Sequence, residues 1–225
     1  MGVKKKSAIL SSPVIRTVYL AAVIGAAFLL YSCKSVDYTA FKESRPRSIL
    51  VMPPVNMSMD VQAPATFLAT SAYPLAESGY YVIPPALSDE MFKQNGMAIA
   101  DETWEIPISR LFEIFGADSA LYITITKYGS TFGVINVAAS SKLVDLRTGQ
   151  ELWSGKTSAT EDNNQKTSTL GGLGGALLGA VVNQLINTLA DRTYEVGRGA
   201  NHQMLSAGKS NGILYGPYHP KFGTD

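Results

Sequence analysis

Cys33 is the sole cysteine of a 225-residue chain, and its neighbours give its sulfur a specific chemistry. Lys4, Lys5, Lys6 and Arg16 precede an apolar run from Val18 to Leu30, which ends in Leu30-Tyr31-Ser32-Cys33. A basic start, a short apolar stretch and a small residue before the cut make a secretory signal peptide. Leu at −3, Ser at −1 and Cys at +1 resemble a bacterial lipobox, where the thiol takes a diacylglycerol, the chain is cut before the cysteine and the new amine is acylated. Three acyl chains would hold the protein at a membrane, where one gives only reversible binding. Two other readings of the segment stand beside this one. A transmembrane helix from Val18 to Ser32 would have 15 residues, short of the roughly 20 that span a hydrocarbon core. A buried core cysteine would leave the basic start and the apolar run without a purpose. Lys34 after the cysteine, in place of an Asp, points to the outer membrane.

The remaining candidates for chemistry are sparse. His202 and His219 are the only histidines and lie 17 residues apart, which is no metal-ligand spacing. Nucleophilic catalysis needs a base beside Ser or Thr; His219 reads as a tail residue and His202 as the last-turn residue of a helix. Asp118 reads as a turn or cap between a helix and a strand, and Asp145 with Arg147 as a local turn pair. Gly171-Gly172-Leu173-Gly174-Gly175 lacks the following Lys-Ser/Thr of a phosphate loop. The expectation is therefore no enzyme, no metal and no cofactor.

These residues need elements to position them. Removing residues 1–32 takes away four basic and no acidic residues, which moves the formal charge from +1 to −3 and leaves 193 residues. That length suits one domain, and no basic surplus remains for nucleic acid. Residues 33–47 read as lipidated cysteine plus polar tether, and 48–225 as a periplasmic α/β domain. Ser48–Met52 is an apolar run stopped by Pro53-Pro54, and Tyr80–Ile83 a second run stopped by Pro84-Pro85; both read as buried strands. Asn56–Pro64 between them reads as a loop. Thr66–Glu77 has helical spacing, with Pro74 arguing for a kink or early stop. Strand, helix, strand is the composition of a right-handed parallel crossover.

A helix is expected to start at Ser88-Asp89-Glu90 and stop near Asn95-Gly96. Another is expected over Ile108–Phe115, with Leu111, Ile114 and Phe115 on one face and Gly116 closing it. Ala120–Tyr128 alternates with period two and is rich in β-branched residues, a strand. Gly129–Gly133 reads as a turn region, Val134–Leu146 as one or two strands, and Glu151–Thr160 as the returning strand of an antiparallel meander. The whole is a mixed α/β sheet flanked by helices. The tail from Gly208 either adds an edge strand or lies on the body.

Two features have a functional and a plain reading. Gly171, Gly175 and Gly179 recur every four residues, as in helices that approach closely; they mark either a packing face for a partner or second copy, or a glycine loop feeding an amphipathic helix from about Ala176 past Asp191. Asn183, Gln184 and Asn187 argue against a simple membrane span. Pro53, Pro54, Pro84 and Pro85 lie where α/β sheets bind ligands, beyond the carboxyl ends of strands. They form either a groove for an extended peptide or simple strand stops.

Several long strings carry a resemblance: Asp37-Tyr38-Thr39-Ala40-Phe41, Arg45-Pro46-Arg47-Ser48-Ile49-Leu50-Val51, Tyr73–Val82, Phe115-Gly116-Ala117-Asp118, Lys142–Gly149 and Leu214-Tyr215-Gly216-Pro217. In this order they resemble a family of outer-membrane lipoproteins of Gram-negative bacteria typified by a meningococcal antigen candidate. The resemblance implies a fold similar to the amino-terminal domain of TolB and to CsgG-type periplasmic domains. It also implies a CsgG-like lipoprotein as partner in a shared envelope assembly, and no defined catalytic residue. The expected function is an accessory or structural role in an envelope secretion or transport assembly, anchored to the outer membrane through Cys33 and facing the periplasm, with self-association plausible. The alternative is a periplasmic module that binds a ligand or peptide.

Overall fold

The computed structural model describes residues 36–162 and 178–225, and of 178–188 the backbone alone. The body from Asp37 to Asp225 is a compact unit. Its elements in chain order are α1 (Thr39–Ser44), β1 (Ser48–Val51), β2 (Val55–Asn56), α2 (Ala63–Glu77), β3 (Tyr81–Val82), α3 (Pro85–Gln94), α4 (Ala100–Trp104), α5 (Ile108–Phe115), β4 (Ser119–Thr131), β5 (Val134–Asp145), β6 (Glu151–Asp162) and α6 (Leu178–Leu205).

The sheet runs β3-β1-β4-β5-β6, with β2 also on β4. β1 lies parallel to β3 and β4, while β4, β5 and β6 form an antiparallel meander. The expected parallel crossover and meander are thus both present in one mixed α/β sheet. Burial explains the continuous apolar run of β1. Ile49 and Val51 join one core while Leu50 and Met52 join another on the opposite face, as a strand covered on both sides must. The larger core packs Leu121, Ile123 and Ile125 of β4 against Phe67 and Leu75 of α2 and Met204 and Leu205 of α6. The smaller packs Ala120 and Tyr122 against Phe92 of α3 and Leu111 of α5. Each such Leu, Ile or Phe contributes about 1.5–3 kcal/mol by leaving water.

Local chemistry shifts several boundaries. Part of the stretch expected to be tether folds: α1 buries Phe41 in the larger core, and the Tyr38 hydroxyl donating to the Gly212 carbonyl at 2.5 Å and the Ser44 hydroxyl donating to Asp145 add to its anchorage. Pro74 does not stop α2. It sits buried one turn from the end, where its carbonyl takes the Ser78 amide and hydroxyl. α3 starts at Pro85, three residues before the expected point, since a proline is favoured at the first helical position. On α5, Leu111 is fully buried but Ile114 is 56% exposed, so the expected apolar face is narrower. Gly129 lies inside β4, not in a turn; the turn is two residues, Phe132 and Gly133, both at positive φ as a type I′ hairpin requires.

The tail adds no strand. It lies on the body, burying Ile213 and placing Gly216 against Gly79 so closely that no Cβ would fit at either. The Gly216 amide donates to the Ser78 carbonyl at 2.7 Å, and the Tyr80 hydroxyl to the Leu214 carbonyl at 2.6 Å.

Candidate functional site

The two carboxylates tie the lower end of the sheet together. Asp118 accepts the Arg47 and Ser48 amides, the Ser48 hydroxyl and the Arg147 guanidinium, the last at 2.7 Å. Asp145 accepts the Ser44 hydroxyl and the Arg147 and Thr148 amides. Burial pushes the Asp145 carboxyl up, but these donors outweigh it and hold it below the ordinary carboxylate range. Arg147 therefore pairs through charge with Asp118 and through its backbone with Asp145. Both acids are fully engaged in joining α1, β1, β4 and β5, which is a structural use.

His202 lies near the end of α6, as expected. Ser206 and Glu77 stand on either side of it: Ser206 Oγ is 3.3 Å from His202 Nδ1, and Glu77 Oε2 is 3.6 Å from His202 Nε2. The order Ser, His, Glu has the chemistry of a nucleophile, base and orienting acid. The geometry does not. The Ser206 hydroxyl donates its proton to the His202 carbonyl at 2.5 Å, the His–Glu separation exceeds a hydrogen bond, and His202 and Glu77 have side chains 47% and 54% exposed. This is a solvated helix end. His219 stacks on Tyr215 in the tail. Among the described residues no His, Cys, Asp and Glu cluster could hold a metal, and no helix is long and apolar enough to cross a membrane.

The prolines divide. β1 and β3 are neighbours, as the groove reading needs. Pro53 and Pro54 do line a cleft of about 450 Å³, together with Leu68, Asp89 and Ile99. Pro84 and Pro85 do not line it; they start α3. Nor do Pro53 and Pro54 end the edge, since the chain resumes as β2 on the same strand β4, and the Pro53 carbonyl accepts the Trp104 indole N–H. Of the glycine stripe, Gly179 lies in α6, while Gly171 and Gly175, like Cys33, fall outside the described residues.

A further open feature lies where β2 ends beside β4. β2 pairs with β4 at Thr124 and Ile125, and the Met57 amide donates to the Ile125 carbonyl at 2.8 Å. There β2 stops. The Asn56 side chain accepts the Ser58 amide and hydroxyl and donates to the Asp60 carbonyl, which curls the chain away. A bulge at Thr126 bends β4 at the same level. From Lys127 to Thr131, β4 pairs with β5 alone among the described residues. The result is a notch of about 860 Å³, walled on one side by that edge and on the other by Met57, Met59 and Val61. Those three side chains are 69%, 104% and 88% exposed, and Phe132 at the hairpin tip is 96% exposed. A methionine-rich apolar rim is adaptable contact surface. The sequence signal that was available is Met57-x-Met59-x-Val61, apolar side chains at every second position in a segment otherwise read as loop.

Several known proteins resemble this chain. The sequence model of the family described as "Putative lipoprotein GNA1162-like" matches residues 36–218. A protein named "Putative lipoprotein NMB1124/NMB1162" from Neisseria meningitidis serogroup B is 47% identical over 203 residues, covering 88% of this chain and 93% of that one. The crystal structure of lipoprotein GNA1162 from Neisseria meningitidis aligns with a TM-score of 0.51 at 43% identity, covering 65% of this chain and 99% of that chain. A PelC dodecamer from Paraburkholderia phytofirmans aligns with a TM-score of 0.41 at 13% identity, over 78% of this chain and 92% of that one.

Proposed function

The chain belongs to the GNA1162-like lipoprotein family, and from that premise we propose a lipid-anchored, non-enzymatic envelope protein that works by holding partners in an assembly. Acylation at Cys33, after cleavage behind residue 32, would fix it to the outer membrane on the periplasmic side. The lipobox spacing and the name of the 47%-identical meningococcal protein support the anchor. Cys33 precedes α1 by six residues, at most about 20 Å of extended chain. β4, with 13 residues, puts the far end of the sheet about 40 Å from the α1 end.

The observation that carries the assembly reading is the exposure of Met57, Met59, Val61 and Phe132, all at that far end of the sheet. Confinement to a membrane surface raises the effective concentration of the protein for neighbours there. A CsgG-like lipoprotein is the partner we favour, with self-association as a further possibility of the same kind. The cleft at Pro53 and Pro54 favours a second reading, a module binding a small ligand or peptide.

The test compares wild type with Cys33→Ala in the native host. The assembly reading expects acyl groups on Cys33 by mass spectrometry, release of Cys33→Ala from membranes, and a protein partner trapped by crosslinking. Free monomer with a co-purifying small ligand would favour the binding module. An uncut, unmodified amino terminus would sink the anchor.

A further inference from the structure

We propose that the outer face of the β4–β6 meander binds an anionic glycan, held between Lys142 and Lys156. The proposal goes beyond the assembly reading and takes from it only the envelope, as the place where such a glycan is met. Its first ground is register. Tyr122, Lys142 and Ser154 stand opposite one another across β4, β5 and β6, and Thr124, Ser140 and Lys156 form the next row. Residues opposite one another share a face, and alternation turns this face away from Val137, Ala139 and Leu143 of the larger core. The two rows floor a cleft of about 540 Å³ with Trp104 of α4 as a wall, within the roughly 300–1,000 Å³ of small-ligand sites.

The second ground is charge. Lys142 and Lys156 are exposed, and neither is in an ion pair among the described residues. They lie one diagonal step apart, about 7–8 Å between backbones. The Lys142 ammonium is 5.9 Å from the Trp104 ring centre and 5.2 Å from that of Tyr122, which holds it over the cleft. Glu151 is the one carboxylate lining the cleft, so the lysines outnumber it. The rest of the chain has no counter-charge in reserve: residues 1–35 and 163–188 include no Asp or Glu. A second copy docked face to face about a two-fold axis would set lysine against lysine. The balancing charge therefore belongs to another molecule, and a carboxylate between two ammonium groups gains charge-assisted hydrogen bonds to both.

The third ground is the floor. The Thr124, Ser140 and Ser154 hydroxyls bond to no other described residue. The main chain beneath them is spent in the β4–β5 and β5–β6 ladders, so an extended peptide finds no backbone partners there. An acyl chain would strip water from these polar groups and return no hydrogen bond. Free hydroxyls, two ammonium groups and an indole ring suit a sugar that carries a carboxylate.

The test uses the full-length anchored protein in detergent, isotope-labelled, and two hexasaccharides as probes. One alternates N-acetylglucosamine with N-acetylmuramic acid and so has a carboxylate on every second sugar; the other, chitohexaose, has none. The chain's two indole N–H signals report on Trp104 in the cleft and Trp153 in the core. The acidic probe should shift Trp104 and leave Trp153 in place, and chitohexaose should bind at least about tenfold more weakly. Lys142→Gln/Lys156→Gln should weaken binding about tenfold with an unchanged melting curve, since both side chains are exposed. No shift at millimolar glycan, equal binding of chitohexaose or of the capped peptide Glu-Gly-Glu-Gly-Glu, or indifference to the double variant would overturn the proposal. So would a dimer in sedimentation that the double variant dissociates, because a second copy would then hold the face. Repeating the titration on Cys33→Ala separates this claim from the anchor: binding retained there supports the face whatever becomes of Cys33, and binding lost there would overturn it.

Discussion

Among the described residues β6 and the upper half of β4 both present sheet edges, yet their surroundings differ. No described strand lies beyond β6 along its length. Its first half has tail residues Lys209–Gly212 beside it, held by the Trp153 indole N–H donating to the Asn211 carbonyl at 3.1 Å. Its second half exposes Lys156, Ser158, Thr160 and Asp162 at alternate positions. Lysine and other polar side chains on an edge discourage pairing with stray strands. The upper half of β4 carries polar residues of its own, Lys127, Ser130 and Thr131, and differs from β6 in having the exposed apolar side chains of Met57, Met59 and Val61 beside it.

The largest expected effect comes from stripping β6 of its cover. Trp153 is buried and its ring lies across Gly155. Trp153→Ala should cost about 3–5 kcal/mol in urea unfolding and speed amide exchange in the tail; a loss well under about 1 kcal/mol would mean that the tail does not depend on it. Next is Asp145→Asn, which loosens the lower end of β5 without touching either edge. It should cost about 1–3 kcal/mol at neutral pH. Because the folded carboxyl titrates below its unfolded value, its contribution is present above about pH 4 and fades as pH falls through the folded pKa. The variant's stability should therefore fall less steeply under acid, and identical acid curves would contradict the donor network.

Lys156→Val/Ser158→Val should leave stability within about 0.5 kcal/mol but create self-association visible by ultracentrifugation. A strictly monomeric variant would show that polar dressing is not what guards β6. The smallest expected effect is Met59→Ser, within about 0.5 kcal/mol; a larger loss would mean that Met59 is packed and the notch already filled.

The sheet was legible because its signals are local. The unbroken apolar run of β1, the alternation of β4 and the turn at Thr148-Gly149 each follow from a short window of residues. α1 was not, because Tyr38 and Phe41 are two aromatics in an otherwise polar stretch, and their packing depends on β6 and the tail arriving from far along the chain. Pro74 misled for a related reason: a proline in the last turn gives up only one hydrogen bond, and Ser78 repairs the end. The notch was illegible because it is a mismatch in length. β2 ends at Asn56 while β4 runs to Thr131, and pairing distances of that kind are set by register, which no single segment carries. Of the four prolines, Pro53 and Pro54 line a cleft while Pro84 and Pro85 start a helix, a division set by the elements that follow each pair.

The account is tested most directly by placing a photo-crosslinking residue at Ser130 on β4 or at Ser158 on β6, in the lipid-anchored protein in its native host. Crosslinks from 130 to one envelope polypeptide, with none from 158, are the predicted result. Crosslinks from 158 alone, or none from 130, would contradict it.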